Sequence, residues 1–314
     1  MATLTQLEYL VAVDRMRHFR KAAQACHVSQ PTLSMQLHKM EEEYGITFFD
    51  RSKQPILATP EGEAVIEQAK VILMEMGKLD YLCKNRTNEP SGEFRLALIP
   101  TIAPYLLPLF IGPFAQHHPK VKLSVREMTT DQIIRALEDD IIDAGILATP
   151  LRVESLIETP LFYEPFSVYV SEGHPLAKQN HISEDSLDAK DIWLLTEGHC
   201  LRNQIVRVCS LRGKPGIFPN VQFESGSLDT VIRLVEQGHG YTLLPYLAAQ
   251  TVKKQNQYLL KPFNKPVPSR EVSLVCRRSQ YKRLILQALA EEIRSSLPPD
   301  LPQQKTKKIE IIKI

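Results

Sequence analysis

Cys200 and Cys209 lie nine positions apart within Glu197-Gly198-His199-Cys200-Leu201-Arg202-Asn203-Gln204-Ile205-Val206-Arg207-Val208-Cys209. A thiolate attacks the O–O bond of a peroxide to give a sulfenic acid, and a second thiol within reach turns that acid into a disulfide. If the segment is helical, nine residues advance roughly 13.5 Å and turn the chain about 900°, so the sulfurs face opposite sides. A disulfide needs Cα atoms within about 7 Å. The pair can therefore join only if the helix comes apart, which makes it a candidate redox switch. Cys200 falls at the expected helix start, where unpaired N–H groups and the dipole favour a thiolate, and neighbouring His199 and Arg202 can add positive potential. No Cys–His pair with a third orienting group suggests acyl transfer. No C-x2-C or H-x3-H spacing points to a metal, so neither a metal nor another cofactor is expected.

A second constellation lies near the start of the chain. His18-Phe19-Arg20-Lys21-Ala22-Ala23-Gln24-Ala25-Cys26-His27-Val28-Ser29-Gln30-Pro31-Thr32-Leu33-Ser34-Met35-Gln36 reads as a helix-turn-helix. Ser29 stands as N-cap with Pro31 in the first turn, a strong helix start. Gln30, Thr32, Ser34, Met35 and Gln36 then place short polar and apolar groups on the turns that enter a major groove and meet base edges. Arg20, Lys21, Arg51 and Lys53 neutralise phosphates on either side without reading sequence. Segment 48–59 reads as two short strands around a basic turn.

The elements that carry these groups follow from the rest of the chain. At 314 residues with a net charge of +2, the protein has room for about two domains, and any basic footprint must be local. No run approaches a membrane helix and the first residues lack a signal peptide's blocks, so a cytoplasmic protein is expected, with no membrane partner. Its five cysteines (26, 83, 200, 209 and 276) should there be mostly reduced. Cys26, Cys83 and Cys276 read as packing residues.

From Thr59-Pro60-Glu61 one helix is expected to about Arg86. Val65, Ala69, Ile72, Met76, Leu79 and Cys83 form a heptad seam along it, read as the contact between two subunits. Beyond a break at Asn88–Gly92, strands are expected at 94–99, 121–125, 144–148, 167–170, 193–195, 221–223, 241–244 and 272–276. Helices are expected at 103–116, 131–139, 199–212, 227–237 and 280–295. The alternation is α/β. The tail from Pro298 onward has no readable periodicity and is expected to be mobile.

Ala22-Ala23, Val28-Ser29-Gln30-Pro31-Thr32-Leu33-Ser34, Leu37, Glu41-Glu42, Gly45, Phe49-Asp50-Arg51 and Thr59-Pro60-Glu61-Gly62 resemble the signature of LysR-type transcriptional regulators. The resemblance covers the full chain order. It implies a winged helix-turn-helix at 1–59, a dimerising linker helix at 60–89 and an effector domain at 90–300, with a flexible tail at 301–314. The effector domain would have two α/β subdomains, like type II periplasmic binding proteins: one from 90–163 and 267–300, the other from 164–266. It further implies a homotetramer, a dimer of dimers, that binds a pseudo-palindromic operator in double-stranded DNA, with RNA polymerase as a partner.

Leu98-Ile99-Pro100-Thr101, Glu197-Gly198-His199-Cys200-Leu201-Arg202, Cys209 and Thr242-Leu243-Leu244-Pro245 resemble one branch of that family, the OxyR-type sensors of hydrogen peroxide. The resemblance implies a regulator and activator, not an enzyme. Cys200 would be oxidised, Cys209 would resolve it as a reversible disulfide, and hydrogen peroxide would be the ligand. Thr101 and Thr130 would hold the peroxide, His199 would orient it or handle its proton, and Arg270 would balance charge near Cys200. Each has a plainer reading: Thr101 and Thr130 as helix caps, His199 as a satisfied histidine, Arg270 as a salt-bridge partner, Cys209 as a packing residue. One departure stands out. The branch commonly carries Asp where this chain has Asn203, which removes a possible proton acceptor. Competing functions are a regulator sensing a small organic effector, a thiol peroxidase with a DNA-binding head and a solute-binding protein.

Overall fold

A computed structural model describes residues 1–84, 89–209 and 225–312. The chain divides into two compact units, Met1–Asn88 and Glu89–Ile314.

The first unit opens with α1 (Leu4–Met16), α2 (Phe19–Ala25) and α3 (Gln30–Tyr44). Ser29 caps α3 by accepting from Thr32 N–H, Pro31 sits in its first turn, and Gly45 ends it at φ 67°, a left-handed conformation that favours glycine. Leu7, Leu10, Ala22, Leu33, Leu37 and Met40 face inward to one core. The wing is the antiparallel pair β1 (Phe49–Asp50) and β2 (Leu57–Ala58). α4 (Pro60–Lys84) starts hard against it, because a Cβ on Gly62 would lie 2.2 Å from Phe48 O. Ile66 and Ala69 bury the first half of α4 in this core, and Lys70 pairs with Asp14 of α1 at 3.2 Å. Farther along, Val71, Ile72, Met76, Leu79 and Leu82 are exposed apolar side chains. The heptad seam is thus partly spent on its own domain at Ala69 and open from Ile72 onward.

The second unit is a single curled sheet with helices packed on it. β3 (Gly92–Leu98), α5 (Ala103–His117), β4 (Val121–Glu127), α6 (Thr130–Glu138) and β5 (Ala144–Thr149) build one half. β5 is buried along its whole length, as expected of a strand covered on both faces, whereas β4 is partly exposed and lies at the sheet edge. β6 (Leu156–Val170) then spans both halves. It pairs with β9 (Val267–Arg277) as far as Pro165, and from Phe166 it pairs with β7 (Tyr241–Pro245) and β8 (Leu260–Pro262). The other half also holds α7 (Cys200–Val208), α8 (Leu228–Glu236) and the short α9 (Tyr246–Ala249). α10 (Arg283–Ser296) returns to the first half beside α5, and β10 (Ile309–Ile311) follows it. The order β4-β3-β5-β9-β6-β7 makes two α/β subdomains joined through β6 and β9.

Three expectations are corrected. Segment 193–195 forms no strand: Trp193 N–H donates to Tyr241 O and Trp193 O accepts from Thr242 Oγ1, but only the isolated bridge Ile192↔Tyr241 is strand-like. The tail at 301–314, expected to be flexible, packs back on the second unit over its described part. Tyr163 N–H donates to Pro302 O, and β10 adds a parallel strand to β9. Its alternating partly buried and exposed positions were too few to read as a period. The strand ending at Val170 begins at Leu156 rather than 167, because Pro160 and Pro165 masked an extended segment that tolerates them. The strand expected at 221–223, and the end of the helix expected at 199–212, lie outside the described residues.

Candidate functional site

α7 begins at Cys200, with His199 as its N-cap residue, and Cys209 is the C-cap. Its apolar positions Leu201, Ile205 and Val208 turn inward, a helical spacing that the sequence carries plainly. Both cysteines are free thiols and both are buried. They sit at the two ends of one helix in different surroundings. Cys200 faces Arg270 of β9 and Thr130 of α6, whereas Cys209 faces Tyr241 of β7 and the Glu184 carboxylate. Nine residues of helix put about 13.5 Å between their backbones along the axis, well beyond disulfide reach.

The Cys200 pocket is built from four elements. Thr101, in the turn between β3 and α5, is buried and caps nothing: Ile102 is the N-cap of α5. Its hydroxyl oxygen accepts from Arg270 Nη1 at 3.2 Å and its carbonyl accepts from Arg270 Nη2 at 3.1 Å. Arg270 is 1% exposed, and its Nε donates to Glu164 Oε2 at 2.7 Å. Glu164, 0% exposed, also accepts from Leu247 N–H of α9 at 2.8 Å. A charge buried this deeply persists only when paired and hydrogen-bonded on every side. Thr130 is the first residue of α6, while Thr129 supplies the cap. α6 lies close on β5 because Gly145 has no side chain; a Cβ there would meet Ile133 Cγ2 at 2.4 Å. Thr130 Oγ1 has no hydrogen-bond partner among the described residues, yet it favours the ionised form of Cys200. It is a buried hydroxyl beside the cysteine, able to donate to a charged sulfur.

Burial dominates the chemistry of this sulfur. It pushes the Cys200 thiol above its ordinary pKa, while Arg270, Thr130 and the N–H groups of Leu201 and Cys200 pull the other way. The helix-start argument names real contributors but not the larger one, since burial favours the neutral thiol. Burial also lowers the His199 pKa, which favours neutral imidazole. Nearby Gly226 leaves room for that ring: a Cβ would lie 2.9 Å from His199 Nε2. Arg202 turns to Glu197, with Nη2 3.5 Å from its carboxylate, so the positive charge at Cys200 comes from Arg270 rather than Arg202 or His199. Asn203 is exposed. At the other end, burial and the Glu184 charge push the Cys209 thiol up to about 12.

Sequence reasoning missed Glu164, Gln204, Tyr105 and Asp229. Glu164 had a signal: a lone carboxylate in the apolar run 161–170. Tyr105 OH donates to Asp229 Oδ1 at 2.9 Å, tying α5 of one subdomain to α8 of the other, and nothing local foretells such a contact. No group of metal-ligating residues occurs among the described residues.

On the helix-turn-helix, Arg20, Lys21, Gln30, Pro31, Thr32, Met35, Arg51 and Lys53 are exposed. Ser29 is exposed but its hydroxyl is occupied in capping, 2.7 Å from Thr32 Oγ1. Ser34 is half-buried, and Gln36 Oε1 accepts from Gln6 Nε2 at 3.2 Å, so Gln36 braces α1 against α3. Arg51 Nη2 donates to Glu41 Oε2 at 2.7 Å, and its guanidinium lies 5.1 Å from the Phe19 ring centroid. Lys53 is 3.6 Å from Asp50. Arg51 therefore holds the wing as well as presenting charge.

Residues 4–63 match the family described as the bacterial regulatory helix-turn-helix protein, lysR family, and residues 87–298 match the LysR substrate binding domain. The DNA-binding transcriptional dual regulator OxyR of Escherichia coli K12 is 37% identical over 294 residues, covering 94% of this chain and 95% of that protein. A hydrogen peroxide-inducible genes activator of Haemophilus influenzae is 36% identical over 301 residues, covering 94% and 98%. Among solved structures, a full-length OxyR from Pseudomonas aeruginosa has a TM-score of 0.78 at 32% identity, covering 98% of this chain and 99% of that one. A hydrogen peroxide-bound OxyR variant from Corynebacterium glutamicum has a TM-score of 0.60 at 29% identity, covering 94% of each.

Proposed function

Because the chain belongs to the LysR family of helix-turn-helix transcriptional regulators, we propose that it is a DNA-binding regulator that responds to hydrogen peroxide through Cys200 and Cys209. The observation that carries this reading is the placement of two free, buried thiols at opposite ends of α7, one of them against Arg270 and Thr130. A site for a small organic effector needs neither thiol.

The chemistry balances without a further reagent. The Cys200 sulfur, ionised against Arg270 and the N–H groups opening α7, attacks one peroxide oxygen. An S–O bond forms, the O–O bond breaks, and the departing hydroxide takes up a proton and leaves as water. Thr101 and Thr130 hold the peroxide with their hydroxyls; Arg270 occupies the Thr101 acceptor side, which leaves its O–H to donate. His199, as neutral imidazole, handles the proton. α7 then comes apart, and the Cys209 sulfur attacks the sulfenic sulfur. The S–S bond forms, the S–O bond breaks, and hydroxide leaves with the Cys209 proton as a second water. One peroxide and two thiols thus give one disulfide and two waters. A closed disulfide holds the segment in a new packing, and the subdomains joined through β6 and β9 pass the change on to the DNA-reading heads.

Those heads act in the cytoplasm, as a homotetramer joined in part through the exposed apolar stretch of α4, on a pseudo-palindromic operator and with RNA polymerase. No helix among the described residues is long and apolar enough to cross a membrane. In this reading the thiol pair is spent once per signal, as in a regulator; steady peroxide turnover with a reductant would mark a peroxidase instead. The test is a DNA footprint of the full chain before and after stoichiometric peroxide, in wild type and in Cys200→Ser. The expected result is a peroxide-dependent change that Cys200→Ser abolishes. An identical response in both would return the reading to an organic effector.

A further inference from the structure

α7 is the element that must move, and one of its buried side chains is tied to the end of the chain. Gln204 lies four residues after Cys200, on the same helix face one turn along. It is fully buried, and its Nε2 donates to Ile312 O at 3.2 Å, while Oε1 has no partner among the described residues. The carbonyl it grips belongs to a segment anchored elsewhere. Val267 N–H donates to Lys308 O and Ile312 N–H to Ser269 O, each at 2.9 Å, and β10 pairs with Val267–Ser269 of β9. Leu301 is buried and Ile312 packs on the main core. The segment therefore spans from the strand bearing Arg270, one residue beyond Ser269, to the helix bearing Cys200.

We infer that Gln204 is a positioning residue and that the C-terminal strap (residues 303–312) is a latch, together holding α7 in its reduced packing and setting how fast Cys200 and Cys209 can join. The inference rests on the disulfide reading above. Joining requires α7 to open, so the closure rate scales with the opened population, and each hydrogen bond that binds α7 to a stationary strand lowers that population. The first step, peroxide attack at Cys200, takes place with α7 still packed and does not draw on the latch. Releasing the strap should therefore separate the two steps: closure accelerates while sulfenic acid formation does not.

Two full-length variants test this. Ile312→Pro removes the N–H that bonds Ser269 O, just past the end of β10. Gln204→Leu removes the amide while keeping its bulk. Rapid mixing with peroxide, quenching and mass analysis give the sulfenic acid and disulfide rates separately. Ile312→Pro should form sulfenic acid at the wild-type rate and close roughly five- to ten-fold faster, the scale set by one net hydrogen bond. Gln204→Leu should close faster as well. Closure at the wild-type rate or slower in both would overturn the latch. If no variant, nor the wild type, forms the disulfide, the Cys200–Cys209 reading fails instead. The latch is then judged by hydrogen exchange of the α7 amides in reduced protein: faster exchange in Ile312→Pro supports it, and unchanged exchange overturns it.

Discussion

Arg270 and Glu164 face each other as cross-strand neighbours of β9 and β6, with Nε and Oε2 2.7 Å apart and both side chains out of solvent. The pair lies where β6 passes from one subdomain to the other, and its guanidinium also grips Thr101. A single fork thus joins the strand that links the subdomains to Thr101 and places its charge beside Cys200.

Breaking that pair from one side should be costly. Arg270→Met leaves Glu164 charged and buried, and should destabilise the protein by about 3–5 kcal/mol in urea melts. It should also slow alkylation of Cys200, whose thiolate loses its nearest cation. Glu164→Gln keeps an acceptor for Arg270 and should cost less stability.

The raised Cys200 pKa fixes a pH dependence. Only the thiolate reacts, and burial holds the pKa above the ordinary value of 9.0. The alkylation rate should therefore climb about tenfold per pH unit across neutrality and beyond pH 9 without levelling. A plateau near neutral pH would contradict the buried-thiol assignment.

Stability should fall in alkali. With Cys209 pushed up to about 12 from 9.0, the folded chain keeps a proton that the unfolded chain gives up. Folding free energy is therefore level below about pH 9 and declines from there toward 12. Urea melts across that window should show the decline, and Cys209→Ala should flatten part of it.

DNA contacts separate by type. Lys21→Ala should weaken all sites alike and reduce the salt slope by about 1, whereas Gln30→Ala should blur sequence choice. Arg51→Ala is a mixed case, since losing its bond to Glu41 also frees the wing. Binding titrations at several salt concentrations distinguish the three.

The open stretch of α4 makes a further prediction. Leu79→Glu puts a charge on the exposed apolar face and should lower the assembly state in sedimentation without altering the fold of either unit. A wild-type assembly state would remove α4 from the subunit contact.

Much of this was legible in the chain because it is local. The Ser29 cap, the inward residues of α3 and α7 and the strands around Leu96, Ile146 and Leu243 each follow from short-range pattern. What was not legible depends on distant partners. Arg270 was a candidate, but its carboxylate sits 106 residues away at Glu164. Gln204 carries no local signal, because the carbonyl it meets lies 108 residues on at Ile312. At Cys200 the helix start was legible but the burial that opposes the thiolate was not, because burial depth cannot be read from a helix start. The tail failed for want of a period, since a strand of three residues has none to show.

The most direct test is peptide mapping of the full-length reduced protein before and after micromolar peroxide, with all thiols blocked at quench. The account predicts that Cys200 and Cys209 become linked to each other, that Cys26, Cys83 and Cys276 stay reduced, and that thiol reductant reverses the link. A lasting oxidised Cys200 with Cys209 still free, or a link that forms while α7 keeps its helical hydrogen-exchange protection, would contradict it.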